Sequence, residues 1–282
     1  PGHLTLEAFT DIDYHLFSQK VESAFRIKLG EYKSDQMKRR LMGFAKQAGC
    51  QSFASYFTKC QGDAKTLQGF LDGMTINVTE LMRGVDLFRD LGKNLLPELV
   101  AQRKGQPINI WSAGCSYGAE AYTVAMLMSE MCPTAQYKIK GTDLDLTVLA
   151  KANQAMFSKA DMQGVDIELR KKYFIQVDED RFMVSPKLRP NVSFGQHDLL
   201  GTDYPADSYD LILCRNVVIY FTDEAKDRIY RNFFKSLRPN GILFVGGSER
   251  LSDPATIGFK PIKPFFYRAD KEHTASLLRR AA

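Results

Sequence analysis

The stretch Ile108–Glu120, INIWSAGCSYGAE, decides how the larger part of the chain folds. Apolar residues alternate over its first positions, glycines follow at Gly114 and Gly118, and the next run, AEAYTVAMLMSEM, favours a helix. Small residues let the backbone bend sharply and a ligand approach, and the free N–H groups of the following helix point back over the turn. The stretch therefore predicts a strand, a glycine turn and a helix, with a ligand beside the turn.

The residues around this turn indicate which ligand it suits. Their G-x-x-x-G spacing matches neither the dinucleotide fingerprint nor the phosphate loop. The turn holds no Lys or Arg, and Glu120 opens the helix, which disfavours a phosphate. Asp143 follows a short predicted strand over 137–141, where a ribose hydroxyl pair would be bound. The pattern favours an adenosine ligand without phosphates; an ordinary strand-to-helix connection is the alternative.

Composition places the chain among ordinary soluble proteins. Its 282 residues suffice for two domains or one large one, with 44% hydrophobic and 25% charged residues. No apolar run approaches the roughly 18 residues that span a membrane, and the N-terminal sequence has no signal-peptide pattern. We expect a cytoplasmic monomer without direct membrane insertion.

Cysteine and histidine usage argues against disulfides and metal sites. The five cysteines are scattered without a C-x-x-C pair, which favours reduced and mostly buried thiols. The four histidines are equally dispersed, so no metal is expected.

The region up to about residue 104 is predicted to be helical, with a basic segment on its clearest helix. Over 35–48 apolar residues recur at three- and four-residue spacing, while Lys38, Arg39 and Arg40 mark a basic run. This run is either a solvated helix face or a docking surface for an acidic partner. Nucleic acid is disfavoured, because no aromatic residues are interleaved with the basic ones.

Lys104-Gly105-Gln106-Pro107 predicts the domain boundary, giving a helical domain over 1–104 and a sheet domain over 105–282. A helix is expected over 86–102, and a hairpin inserted at about 170–190. Alternation of strands and helices predicts an α/β domain with a mostly parallel sheet covered on both faces. The expected strands lie near 108–112, 137–141, 192–196, 209–214 and 242–247, and the expected helices near 119–131, 145–154 and 223–237.

Polar residues follow two further strands, at the edge where ligands bind in such sheets. Asp198 and Leu199 come after NVSFGQ, and Arg215 and Asn216 come after YDLILC. A functional role and a purely structural ion pair or turn hydrogen bond are both compatible with this placement.

A third polar group precedes the sheet domain, in TINVTELMRGVDLFRDL, where Asn77, Thr79 and Arg83 lie close together. Thr79 is alternatively a cap of the short helical turn that follows.

The combination of NVTELMR, WSAGCSYGAEAYT, GTDLD, HDLL and CRNVVIYF resembles the chemotaxis receptor glutamate O-methyltransferases, the CheR family, which use S-adenosylmethionine. The resemblance covers nearly the whole chain, with motif order and spacing in agreement. It implies a Rossmann-like class I methyltransferase sheet domain with a small N-terminal all-helical domain and an inserted small β-subdomain.

The resemblance also implies roles for individual residues. Arg83 and Tyr220 would lie nearest the transferred methyl group, and Lys38-Arg39-Arg40 would guide the acidic methylation helices of a chemoreceptor. The implied cofactor contacts are Asn77, Thr79, Arg83, Ala113, Gly114, Glu120, Asp143, Asp198, Leu199, Arg215 and Asn216.

Three features depart from the family pattern. Where the family commonly has S-T-G-E-E-P-Y, this chain has Ala119 and Ala121 flanking the retained Glu120, and Leu81-Met82 replaces an aromatic pair. A slower or tuned enzyme is compatible with these changes. The hairpin loop is short, acidic and without glycine, so we expect methylation that does not depend on a receptor tail.

The implied reaction needs no general base. A glutamate side chain with a pKa of about 4.3 is an anion at neutral pH, and a sulfonium methyl is already activated. Two alternatives stay open: methylation of a different protein or a small molecule, and a cofactor-binding signalling module without turnover.

Overall fold

The computed structural model describes residues 9–74 and 79–272, which form two compact units. The first holds the described part of 1–76 with Tyr220–Lys226, and the second holds the remaining described residues. The division after residue 76 differs from the boundary expected at Lys104, because the helical residues between 85 and 103 pack on the sheet. Across 9–74 and 79–272, no helix is both long and apolar enough to cross a membrane.

The first unit is a helical bundle with an aromatic core. Met37, Leu41 and Ala45 form the buried stripe of the helix expected over 35–48, which is confirmed with its bounds one residue earlier. Phe17 packs near Phe53, at 5.2 Å between ring centroids. The four helices are α1 (Asp11–Phe25), α2 (Ser34–Gln47), α3 (Phe53–Gly62) and α4 (Ala64–Met74), with a 3-10 turn over Leu29–Glu31.

A segment from much later in the sequence completes this bundle. Lys33 N–H donates to the Tyr220 carbonyl at 2.9 Å, and Thr222 N–H donates to the Glu31 carbonyl at 2.8 Å. Tyr32 and Phe221 form an antiparallel bridge between these hydrogen bonds. Tyr220–Lys226 is therefore part of the bundle's own backbone network.

The second unit is built on a seven-stranded sheet. Its strands are β1 (Ile108–Ala113), β2 (Tyr137–Asp143), β6 (Val192–Gln196), β7 (Tyr209–Cys214), β8 (Leu237–Val245), β9 (Phe259–Lys263) and β10 (Phe266–Ala269). They lie in the order β6-β2-β1-β7-β8-β10-β9. The first five strands in this order are parallel, and the last two are antiparallel. The edge strand β9 contains Pro261, as expected for a strand with one unpaired side.

Helices cover both faces of this sheet. Successive residues of β1 point to opposite faces, and both faces are packed. Ile110 joins the apolar cluster formed with the helix that follows the glycine turn. Trp111 instead packs on Phe233, at 5.4 Å between ring centroids. The helices are α5 (Val85–Asp90), a π turn (Leu91–Leu95), α6 (Leu96–Arg103), α7 (Ala119–Met131), α8 (Leu146–Gln154), α10 (Asp223–Ser236) and α11 (Pro254–Ile257), confirming the helices expected near 86–102, 119–131, 145–154 and 223–237.

The expected hairpin near 170–190 is present but belongs to a larger insertion. Its strands β4 (Phe174–Gln176) and β5 (Arg181–Val184) pair antiparallel, and β3 (Met156–Ser158) adds a third strand beside β5. Helix α9 (Ile167–Tyr173) connects β3 to β4. The three-residue strand is too short for sequence periodicity to reveal, so the insertion begins earlier than the sequence suggested.

All five cysteines carry free thiols, and four of them are buried. The expectation of mostly buried thiols is confirmed.

Candidate functional site

The strand order reverses between β1 and β7, and the site forms at the carboxyl ends of these strands. Ala113 ends β1 and is fully buried, and Gly114 opens the turn with φ +75°. A Cβ at Gly114 would lie 2.5 Å from Val217 Cγ2 in the loop after β7. Because glycine has no side chain, the loops after β1 and β7 can come this close together at the reversal point.

The turn is fixed to the neighbouring strand by backbone and carboxylate hydrogen bonds. The N–H groups of Gly114 and Cys115 both donate to the Thr142 carbonyl at 2.8 Å. Asp143, at the end of β2, accepts hydrogen bonds from the N–H groups of Ser116 at 2.9 Å and Asp145 at 3.1 Å. Burial raises the pKa of the Asp143 carboxyl above its usual value. The predicted ribose-binding acid thus lies beside the glycine turn.

Glu120 and Arg215 form a buried ion pair next to this turn. The Glu120 carboxylate accepts a hydrogen bond from Ser112 Oγ at 2.7 Å, and its other oxygen lies 3.6 Å from Arg215 Nη1. The two side chains are 12% and 6% exposed, so both charges are largely removed from water. Burial raises the pKa of Glu120, while the Arg215 charge acts in the opposite direction.

The Arg215 guanidinium is further held between two aromatic rings and a carbonyl. It lies 4.8 Å from the ring centroid of Phe88 and 4.6 Å from that of Phe244, distances suited to cation–π attraction. Its Nη2 donates to the Arg83 carbonyl at 2.8 Å. Burial lowers the pKa of Arg215, and Glu120 opposes that effect. The guanidinium therefore connects the loop after β7 with the segment that carries Arg83.

Asp198 and Leu199 lie one strand further along the same edge. His197 N–H donates to the Asp143 carbonyl at 3.0 Å, which places this loop beside the end of β2. Asp198 accepts a hydrogen bond from Leu200 N–H at 2.9 Å, and Leu199 is buried.

Glu249 holds the loop after β7 beside the candidate site, a role that sequence reasoning missed. Its carboxylate accepts hydrogen bonds from the N–H groups of Asn216 at 2.5 Å, Val217 at 2.7 Å and Gly246 at 2.9 Å. Glu249 is 3% exposed, and Asn216 has φ +61° in the turn that it holds. The position of Glu249 directly after VGGS could have predicted this role, because a carboxylate next to the end of a buried strand needs hydrogen-bond donors.

The remaining predicted residues fall into three places. Thr79 and Arg83 lie in the second unit, on a segment bonded to the glycine turn and to Arg215. Asn77 lies outside the described residues. Lys38, Arg39, Arg40 and Tyr220 belong to the first unit.

The first unit contains a groove of ≈ 340 Å³, and its described charged lining residues are all cations. Arg39 is exposed, while Arg40 is partly buried, and burial lowers its pKa with Tyr220 acting in the opposite direction. Lys38 instead donates to Asp11. The lining residues are Lys33, Gln36, Met37, Arg39, Arg40, Met74 and Tyr220.

The second unit fits a cationic nucleoside ligand. Two buried acids, Glu120 and Asp143, suit a cofactor with sulfonium and ammonium charges and ribose hydroxyls. The glycine turn holds no cation for a phosphate.

Comparisons with known proteins agree with this fit. Residues 77–264 match the model for the CheR methyltransferase, SAM binding domain, and residues 12–75 match that for the CheR methyltransferase, all-alpha domain. A chemotaxis protein methyltransferase of Listeria monocytogenes is 37% identical over 255 residues, covering 90% of this chain and 96% of the relative.

More distant relatives carry the same description. Chemotaxis protein methyltransferase 1 of Pseudomonas aeruginosa is 32% identical, covering 86% of this chain and 91% of its own. The chemotaxis protein methyltransferase of Escherichia coli is 28% identical, covering 87% and 86%. The chain therefore belongs to the CheR methyltransferase family and is an S-adenosylmethionine-dependent methyltransferase.

Proposed function

We propose that this enzyme methylates glutamate side chains on the methylation helices of bacterial chemoreceptors, giving methyl esters for sensory adaptation. One observation carries the proposal. Arg39 and Arg40, two of the three residues expected to dock the substrate, line one groove with Tyr220, a residue assigned to methyl transfer. A groove with cationic walls suits a helix that presents carboxylates.

On the cofactor side, the assigned residues divide between the parts of the cofactor. Glu120 would pair with a cationic group of the methionine portion, and Asp143 would accept hydrogen bonds from the ribose hydroxyls. Asp198 and Leu199 would border the adenine. Arg215 and Asn216 would line the methionine end, with Arg215 held in place by Glu120, Phe88 and Phe244.

The remaining residues would align the acceptor. Bound S-adenosylmethionine supplies a methyl group that its sulfonium already activates. Arg83 would hold the substrate carboxylate in line with that methyl carbon, and Tyr220 would supply a hydroxyl and a wall. Since the acceptor is already an anion at neutral pH, the protein contributes alignment and exclusion of water rather than a base.

The decisive experiment uses pure protein, radiolabelled S-adenosylmethionine and membranes containing a chemoreceptor, followed by alkaline release of the label as methanol. Base-labile label on the receptor is the expected result, and Arg83→Ala should reduce it at least 100-fold, because a misaligned acceptor loses much of the gain from positioning. Absence of label with cofactor binding intact by calorimetry would contradict the proposal for those receptors. It would favour a different substrate or a module without turnover.

The groove gives a second prediction. Replacing Arg39 and Arg40 by Gln should raise the KM for receptor about tenfold, because two charges that attract an acidic helix are removed. The dissociation constant of S-adenosylmethionine should stay unaltered. Raising the ionic strength should weaken receptor use by the wild type more than by the double variant.

Lys65→Gln is the matched control, since Lys65 is an exposed cation of the same unit that is not part of the groove. Equal receptor KM values for all three proteins would show that the groove does not dock the substrate. That outcome is expected if the methyl acceptor is another protein or a small molecule.

A further inference from the structure

Residues Thr79–Arg83, called the closing segment below, are held to the methyltransferase domain by bonds to their backbone. Leu81 N–H donates to the Asp161 carbonyl at 3.0 Å, and Met82 N–H donates to Thr123 Oγ1 at 2.9 Å. Arg215 Nη2 bonds the Arg83 carbonyl at 2.8 Å. Since these bonds use main-chain atoms, they fix the path of the segment whatever side chains it carries.

The fourth bond comes from Tyr117, in the middle of the glycine turn. Its hydroxyl donates to the Thr79 carbonyl and lies 2.9 Å from Asp161 Oδ1, so two acceptors share one phenolic proton. The Tyr117 ring packs near Phe157, at 6.1 Å between centroids. Tyr117 thus connects the glycine turn, of which it is a part, with the closing segment and with the insertion.

Asp161 is itself fixed within the insertion. Its other carboxylate oxygen accepts hydrogen bonds from Ser158 N–H and Ser158 Oγ, both at 2.8 Å. Its carbonyl is the acceptor for Leu81. Asp161 therefore contacts the closing segment twice, once through its own carbonyl and once through Tyr117.

The Tyr117 hydroxyl stands at the far end of a phenol ring. A Ser or Thr hydroxyl is attached to Cβ and does not reach as far. The bridge to Thr79 and Asp161 therefore depends on the tyrosine that this chain carries.

We propose that Tyr117 and Asp161 form a clasp that positions the closing segment over the glycine turn and couples the inserted β-subdomain to cofactor binding. The clasp rests on the proposed cofactor site, because Thr79 and Arg83 are the residues that it positions. Tyr117 acts as a positioning residue through Thr79 and Arg83. Disturbing the turn of the insertion that holds Asp161 therefore weakens cofactor binding, although the insertion itself carries none of the assigned cofactor contacts.

Tyr117→Phe tests the clasp while keeping the ring. The dissociation constant of S-adenosylmethionine, measured by calorimetry, should rise about tenfold, the effect of one lost hydrogen bond of roughly 1.4 kcal/mol. Hydrogen exchange at the Leu81 and Met82 amides should accelerate by a similar factor in the protein without cofactor. The KM for cofactor should rise more than kcat falls.

Tyr122→Phe is the matched control. Tyr122 lies in the first turn of α7. Like that of Tyr117, its hydroxyl donates to a backbone carbonyl, here that of Ala152 at 3.2 Å, and its ring packs near Phe157. It does not contact the closing segment through that hydroxyl. Exchange at Leu81 and Met82 should therefore match the wild type.

A double-mutant cycle of Tyr117 and Asp161 is the second test of the clasp. Asp161→Ala should change both measurements in the same direction as Tyr117→Phe but by less, because the Tyr117 hydroxyl still donates to the Thr79 carbonyl. The double variant should be no worse than Tyr117→Phe, since both changes act on one clasp. Unaltered exchange at Leu81 and Met82, or strictly additive losses, would overturn the proposal. Because exchange needs neither receptor nor cofactor, the clasp is tested even if receptor methylation fails.

Discussion

Glu120→Gln is expected to weaken binding of S-adenosylmethionine about 100-fold. The Glu120 carboxylate is 12% exposed and lies 3.6 Å from Arg215, which is 6% exposed. Replacing it by a neutral amide removes the proposed charge-assisted contact to the cationic cofactor, which is worth on the order of 1.5–3 kcal/mol, up to about 100-fold in affinity. Calorimetric titration with S-adenosylmethionine measures the loss.

The same residue predicts how cofactor affinity varies with pH. Burial raises the pKa of Glu120 above its ordinary 4.5, so its carboxylate is lost at a higher pH than that of an exposed glutamate. A cationic ligand binds the ionised form, so affinity should fall as the pH drops through the raised pKa and stay level above it. Glu120→Gln should flatten this profile, apart from the part due to Asp143, whose pKa burial also raises.

Glu130→Gln provides the control for both measurements. It makes the same substitution on the same helix, where Glu130 bonds Lys172 at 2.6 Å and Tyr173 at 2.7 Å, in contacts remote from the glycine turn. Its affinity and pH profile should equal those of the wild type. If Glu120→Gln binds as tightly as Glu130→Gln, the assigned contact is wrong.

Glu249→Ala is expected to have the largest effect on stability. Its carboxylate is the acceptor for three backbone N–H groups, those of Asn216, Val217 and Gly246. Removing it leaves three donors unsatisfied, one buried and two partly buried, at about 1 kcal/mol each, so the free energy of unfolding should fall by about 3 kcal/mol. Urea unfolding followed by circular dichroism measures this change.

Cofactor affinity should fall with it, because the released loop carries the two residues assigned to the methionine end. Glu98→Ala is the control: its carboxylate pairs with Arg268 at 2.7 Å but is 41% exposed, so its removal should cost less than about 1 kcal/mol. A Glu249→Ala protein as stable as the Glu98→Ala protein would show that other groups fix the loop.

The order of strands and helices was readable from the sequence because each signal is local. The alternation in β1, the apolar run of α7 and the glycines between them depend only on neighbouring residues, and the structure has them at the expected positions. The same holds for Asp143, which ends β2, and for Arg215, which follows β7.

Other features depend on residues far apart in the chain, which no local pattern encodes. Glu249 is 32 residues from Val217, and Tyr117 is 44 residues from Asp161. The three residues of the basic run also have different partners: Lys38 bonds Asp11, while Arg39 and Arg40 line the groove. The sequence alone could not predict this difference. Helical periodicity places residues on faces but does not identify their partners.

The contribution of Tyr220–Lys226 to the helical bundle bears on how such enzymes can be recombined. A graft that moved only the residues before 77 onto another methyltransferase would omit Phe221, the bridge partner of Tyr32, and the Tyr220 carbonyl that accepts from Lys33. Moving the whole helical unit between relatives therefore requires three junctions in the gene, one after residue 76 and one on each side of Tyr220–Lys226. The helical unit is a discontinuous module.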